Sequence, residues 1–135
     1  MAKDYRQQII IRKLERPLEE SLEKEIEWLC QCLGLSTADE RLPIDIFKTL
    51  LMRAYQGQPV SSTTLTKGKN VTRGAIVYHL NRFIQSGLVV RRGREYALRD
   101  RTLTRTLDEV EEDFLRFLKK MREIAEKIDT EAYGR

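Results

Sequence analysis

The sequence predicts a mainly α fold with one small β-hairpin, an α+β class, and three stretches carry that prediction. Between Thr72 and Gly87, Ile76, Leu80, Phe83 and Ile84 recur at helical spacing on one face. After Gly87 the period changes to two: Leu88 and Val90 alternate with Val89 and Arg91, and Tyr96 and Leu98 with Ala97 and Arg99. The glycine-bearing Arg91-Arg92-Gly93-Arg94 is the hairpin connection between them. The third stretch is Leu103, Leu107, Val110, Phe114, Phe117, Met121, Ile124 and Ile128, spaced 4-3-4-3-4-3-4. That is an unbroken heptad seam.

From the N-terminus, residues 3–15 mix signals. Ile9-Ile10-Ile11 favours a strand, while the flanks are good helix formers. The segment is read as a strand or irregular arm, either crossing to a partner subunit or packed locally. Pro17 to Leu33 is predicted to be a helix, because a proline costs nothing in a first turn and Glu19, Glu20 and Glu23 suit its positive end. Its apolar face is Leu18, Leu22, Ile26, Leu29 and Leu33, and Gly34 ends it. Trp28 lies off that stripe and is expected to pack on a neighbouring helix or a partner chain.

Pro43 opens the next helix, with Ile44, Phe47, Leu51, Ala54 and Tyr55 on one face, Leu50 beside it, and Gly57 and Pro59 beyond its end. Ser61 or Ser62 caps a short helix that holds Leu65 inward. Lys67-Gly68-Lys69-Asn70 is the turn that follows, and its two lysines are free to meet phosphate. Thr72 caps the helix after it, since its hydroxyl can accept from a first-turn N–H, and Gly87 stops that helix.

Ala75-Ile76-Val77-Tyr78-His79-Leu80, then Phe83, then Ser86-Gly87-Leu88-Val89 and a basic hairpin resemble the recognition helix and wing of a winged helix-turn-helix regulator of the ArsR-like kind. The resemblance covers residues 43–99 and is more specific for the fold than for the subfamily. It implies a winged helix-turn-helix domain at residues 42–100, preceded by an N-terminal arm and helix (1–41) and followed by a C-terminal coiled-coil dimerisation helix (101–135). It also implies that Thr72, Arg73, Val77, Tyr78 and Arg82 on the helix, and Arg92 and Arg94 on the wing, contact DNA. His79 matches a histidine common in such helices and is read as a partly buried helix residue, not a ligand or a base.

Charge agrees with that implication. The formal net charge of +4 divides into −1 over residues 1–59, +8 over residues 60–105 and −3 over residues 106–135. Excess positive charge is thus confined to the region expected to meet DNA, where neutralising phosphates supplies affinity. The heptad helix spans ~39 Å at 1.5 Å per residue, more than the small preceding domain easily covers. The expected partner along it is the same helix of a second copy, with the helix at 17–33 able to join a small bundle.

With 135 residues, 41% hydrophobic and 34% charged, the chain supports one soluble domain plus an extension. No apolar run approaches the ~20 residues that span a bilayer, and Met1 to Tyr5 carries no signal-peptide core. The expected compartment is the cytoplasm. Cys30 and Cys32 stand two residues apart, some forty before the helix that carries a Cys-x-Cys pair in metal-sensing ArsR-like proteins. Residues at i and i+2 do not face each other on a helix, and a closed zinc site needs four N/S ligands where the chain has one His. No metal or cofactor is expected, and no phosphate-cradling loop or nucleophile elbow marks an enzyme. The expected function is a homodimeric, sequence-specific regulator on double-stranded DNA. Two alternatives stand beside it: a winged-helix protein-interaction module without DNA binding, and a thiol- or metal-responsive regulator using Cys30 and Cys32.

Overall fold

The computed structural model describes residues 7–133. In chain order the elements are α1 (Leu22–Cys32), α2 (Leu42–Tyr55), β1 (Val60–Ser61), α3 (Ser62–Thr66), α4 (Arg73–Ser86), β2 (Val89–Arg92), β3 (Glu95–Leu98) and α5 (Leu103–Tyr133). The fold is mainly helical with a small three-stranded antiparallel sheet, the α+β class expected. Of the segment 3–15, the part before residue 7 lies outside the described residues.

α1 is shorter than predicted. It starts at Leu22, where the Ser21 hydroxyl accepts from the Lys24 N–H at 3.2 Å. Pro17 has only Arg16 before it, a residue that cannot cap, so the helix waits for the serine. Leu18 and Leu22, expected on the apolar face, are exposed, while Ile26 and Cys30 are buried and Leu29 and Leu33 pack partly on the core. Trp28 donates its indole N–H to the Leu14 carbonyl at 3.2 Å, so its polar partner is the N-terminal arm. That arm is irregular and packs locally. Gln8 N–H donates to the Gln85 carbonyl, Arg12 N–H donates to the Cys32 carbonyl, and Ile9 lies against the core. Ile10 crosses over Gly34 so closely that a Cβ there would come within 2.9 Å of it, and Gly34 has a φ of +68°.

α2 is the centre of the core. Ile44, Ile46, Phe47, Leu50, Leu51 and Ala54 are all buried along it. Tyr55, expected on this face, is exposed. Phe47 and Phe83 meet with ring centroids 5.8 Å apart and a tilt of 52°, joining α2 to α4.

α4 begins and ends as predicted. The Thr72 hydroxyl accepts from the Ala75 N–H at 3.1 Å, and Gly87 takes a φ of +90° after the last turn. Ile76, Leu80 and Phe83 are fully buried, and Ile84 packs partly on the core.

The hairpin differs from expectation in phase and length. Val89 pairs with Leu98 and Arg91 with Tyr96, so Val89, Tyr96 and Leu98 share the buried face, and Val90 lies on the other with Ala97. Leu88 is buried too, but it precedes the strand and belongs to the turn after α4, where its N–H donates to the Phe83 carbonyl. Arg91 and Arg92 are strand residues, which leaves Gly93 and Arg94 as the two-residue turn, with Gly93 at a φ of +64°. β1, which the sequence reading did not foresee, adds to the outer edge of β3 through Val60 opposite Tyr96.

α5 runs five residues beyond Ile128. The Thr102 hydroxyl accepts from the Arg105 N–H at its start. Thr106, fully buried, donates to the Thr102 carbonyl and accepts from the Asp100 N–H. Leu103 and Leu107 pack partly on the core and Val110 is buried. From Phe114 onward the seam lies open in the single chain. Arg99 ties this helix to the hairpin, donating to Asp113 at 2.5 Å and 3.2 Å and pairing with Glu109 at 3.0 Å. The Arg99 guanidinium beside it holds the Asp113 carboxyl below the ordinary aspartate value.

Candidate nucleic-acid interface

The inward face of α4 decides which residues its other face presents. With Ile76, His79, Leu80, Phe83 and Ser86 buried, Gly74, Tyr78, Asn81 and Gln85 come out on the opposite side, with Val77 half-buried beside them. A polar stripe thus runs the length of the helix. It faces an open cleft whose other wall is the hairpin, the two walls contributing Tyr78, Asn81 and Gln85, and Val90, Arg91 and Gly93. Asn81 and Gln85 were not among the expected contact residues. Their signal was available, because positions 74, 78, 81 and 85 are the helical complement of 76, 80 and 83.

The structure sorts the basic residues into two groups. One group is committed within the chain. Arg82 is half-buried, donates to the Gly34 carbonyl and lies 6.0 Å from the Tyr78 ring centre. Arg91 donates to the Gly93 carbonyl and lies 5.6 Å from the Tyr96 ring centre. Arg99 serves Asp113 and Glu109, and Arg105 lies 3.9 Å from Asp100.

Within residues 60–105 the other group is Lys67, Lys69, Arg92, Arg94 and, beside Gly57, Arg101, which form no ion pair among the described residues. Lys67 and Lys69 stand on the turn before α4, around Gly68 with its φ of +71°. Arg92 and Arg94 are exposed at the hairpin tip. Arg73 belongs between the groups. Its Nε donates to the Ser62 hydroxyl at 3.1 Å, which ties α3 to α4, and the residue remains exposed. Thr72, also exposed, spends its acceptor on the cap.

His79 is buried, and its Nδ1 has no partner among the described residues. Burial lowers its pKa, Arg82 adds to the lowering and Glu40 opposes it. Its ring packs edge-on to that of Tyr78, with centroids 5.1 Å apart.

Cys30 is fully buried, and burial first, then Glu27, pushes its thiol up to about 12. A thiol held protonated is a poor nucleophile and a poor metal ligand. Cys32 is half-buried, and no group of three His, Cys, Asp or Glu gathers as a metal centre requires among the described residues. The double variant Cys30→Ser/Cys32→Ser is expected to keep its affinity for DNA. It should lose about 1–3 kcal/mol of stability, because a hydroxyl replaces a buried thiol. Anisotropy titrations with and without zinc or oxidant check this. A response present in the parent and absent in the variant would favour the thiol sensor.

No family model matches this chain, and no curated protein or solved structure matches it either. No helix among the described residues is long and apolar enough to cross a membrane.

Proposed function

We propose that the chain is a winged helix-turn-helix regulator, ArsR-like in its DNA-binding domain, that acts on duplex DNA as a homodimer. In this reading α3 and α4 are the helix-turn-helix, α4 is the recognition helix and the β2–β3 hairpin is the wing. The observation that carries it is the distribution of uncommitted cations. Lys67 and Lys69 before α4 and Arg92 and Arg94 on the hairpin flank a polar stripe of Tyr78, Asn81 and Gln85. Cations at the margins suit phosphates, which position a protein without specifying sequence. Amides in the middle suit base edges, since Asn and Gln can pair two bonds with adenine in the major groove. Arg73, at the start of α4, would pair the donors it does not give to Ser62 with guanine O6 and N7. In a dimer the two recognition helices enter successive major grooves about 34 Å apart, which calls for a pseudo-palindromic site.

The test begins with selection of bound sites from random duplexes, followed by anisotropy on the selected and scrambled sequences across a salt series. Arg94→Ala should weaken both alike and reduce the slope of log affinity against log salt by about one. Asn81→Ala and Arg73→Ala should weaken the selected site more, each by about 1–3 kcal/mol of discrimination. A thermal melt of Arg73→Ala separates that effect from loss of the Ser62 contact. Absence of salt-dependent binding to any duplex would reject the DNA reading in favour of a protein-interaction module.

A further inference from the structure

The C-terminal end of α4 carries more carbonyls than its own turn can satisfy. The N–H groups of Gly87 and Leu88 take those of Ile84 and Phe83. The next three carbonyls are met from distant parts of the chain. The Gln8 N–H donates to Gln85 at 2.9 Å, the Gln7 side-chain amide to Ser86 at 3.1 Å, and the Arg99 Nη1 to Gly87 at 3.4 Å. The Arg99 cation also meets the negative end of the helix dipole. Only a glycine at position 87 leaves room for the Gln7 amide.

Gln7 and Arg99 both continue to α5. Arg99 grips the Asp113 carboxylate with two nitrogens, at 2.5 Å and 3.2 Å, and reaches Glu109 through its Nε at 3.0 Å. The Gln7 amide donates to the same Asp113 carboxylate at 3.0 Å. Asp113 is therefore the α5 side chain that meets both supports of the α4 end. It is also sheltered, with 13% of its side chain exposed, so salt screens its pairing with Arg99 less than an open surface pair.

Its place along α5 gives this contact leverage. Leu103, Leu107 and Val110 seat the first turns of α5 on the domain. Phe114, the next seam residue, is 36% exposed, and Phe117 beyond it is more open. Asp113 thus stands where the helix leaves the domain. The apolar contacts before it hold α5 down without prescribing a tilt, whereas a guanidinium fork on a carboxylate fixes direction as well as distance.

We propose that Asp113 is a positioning residue for DNA recognition: through Arg99 and Gln7 it fixes the angle between α4 and the dimerisation helix, and so sets the spacing between the two half-sites. The inference rests on the functional reading above, in both its DNA and its dimer parts. The lengths show why one contact suffices. α4 is held at its C-terminal end, and Arg73 opens its other end, about 20 Å away at 1.5 Å per residue. A tilt of about 10° at the junction carries Arg73 through about 3.5 Å, the distance between successive phosphates along one strand.

The experiment measures anisotropy with Asp113→Ala on duplexes of two kinds. One kind carries a single selected half-site. The other carries two half-sites at the selected spacing, or with one or two base pairs inserted or removed. The parent should prefer one spacing by at least about tenfold over its neighbours. In Asp113→Ala that preference should fall below about threefold, with affinity for the single half-site within about twofold of the parent. Arg116→Ala removes a partner that Asp113 has on its own helix, and should keep the parent's preference. If Asp113→Ala does not fold, Asp113→Asn, which keeps the volume and removes the charge, takes the same test.

A spacing preference in the variant as sharp as the parent's overturns the proposal. So does an equal loss on single and paired half-sites, which is what general destabilisation gives. Sedimentation equilibrium should show the same association as the parent, and a monomeric variant makes Asp113 an interface residue and overturns its positioning role. A parent that binds single half-sites with salt dependence but has no preferred spacing overturns the proposal and leaves DNA binding standing. A parent that binds no duplex overturns both.

Discussion

Phe117→Asp is expected to convert the protein into a folded monomer. Phe117 is exposed in the single chain, 59% of its surface open, and lies at the centre of the α5 seam. In a two-fold dimer the substitution removes two buried rings and brings two carboxylates into an apolar layer. Truncating a buried Phe costs about 3–5 kcal/mol. Two copies therefore weaken association by about four decades or more, at 1.4 kcal/mol per decade. The core of the domain does not include Phe117, so the main thermal transition should stay in place. The distal turns of α5 should fray, because a solvated helix segment without packing is marginal in water. Sedimentation equilibrium beside a far-UV melt reads both effects. A stable dimer from this variant would sink the assignment of α5 as the dimerisation helix.

Phe47→Ala should have the largest effect on the domain itself. Phe47 is fully buried on α2 and meets Phe83 of α4 at 5.8 Å. Both rings lie in one core cluster with Ile44, Leu50, Ile76 and Leu80, and relaxation around an aromatic-sized hole in such a cluster is limited. A loss of about 3–5 kcal/mol follows from the transfer and cavity terms together. Against a total of about 5–15 kcal/mol for a small domain, that is a large share. The midpoint of urea unfolding should fall accordingly with its slope unchanged. A shift worth less than about 1 kcal/mol would mean that the α2–α4 contact is not the centre of the core. DNA affinity should fall only in proportion to the unfolded fraction, because Phe47 reaches no part of the exposed stripe on α4.

The residues that the sequence placed correctly are those whose signals are local. Thr72 and Gly87 bound α4 because a cap hydroxyl and a left-handed glycine act within one turn of chain. Ile76, Leu80 and Phe83 were legible as buried because one helix face repeats them, and the same repeat made Tyr78 legible as exposed. The concentration of charge between residues 60 and 105 needs no structure at all.

What failed depended on contacts between distant segments, save the start of α1, which a local cap sets. β1 is two residues long and exists only because β3 has an edge for it, and no period is visible in two residues. The phase of β2 was read from Leu88 and Val90, yet the side chains directly opposite on β3 select Val89 for the buried face. A strand with apolar residues on both sides leaves that choice to its neighbour. Leu18 fits a helical stripe as well as Ile26 does, but the Ser21 cap starts α1 beyond it.

The candidate interface divides the same way. Composition alone located the basic region and the basic residues in it. Which of those cations remain uncommitted was decided by tertiary partners: the Gly34 carbonyl for Arg82, the Tyr96 ring for Arg91 and Asp113 for Arg99. The sequence by itself determined the positions of α2 and α4, the Thr72 and Gly87 ends of α4, the heptad spacing along α5 and the distribution of charge, since each depends on residues within a few turns of one another. Only the tertiary structure decided the sheet phase, the local packing of the N-terminal arm and the cations free to act, because each is chosen by a neighbour far away in the chain.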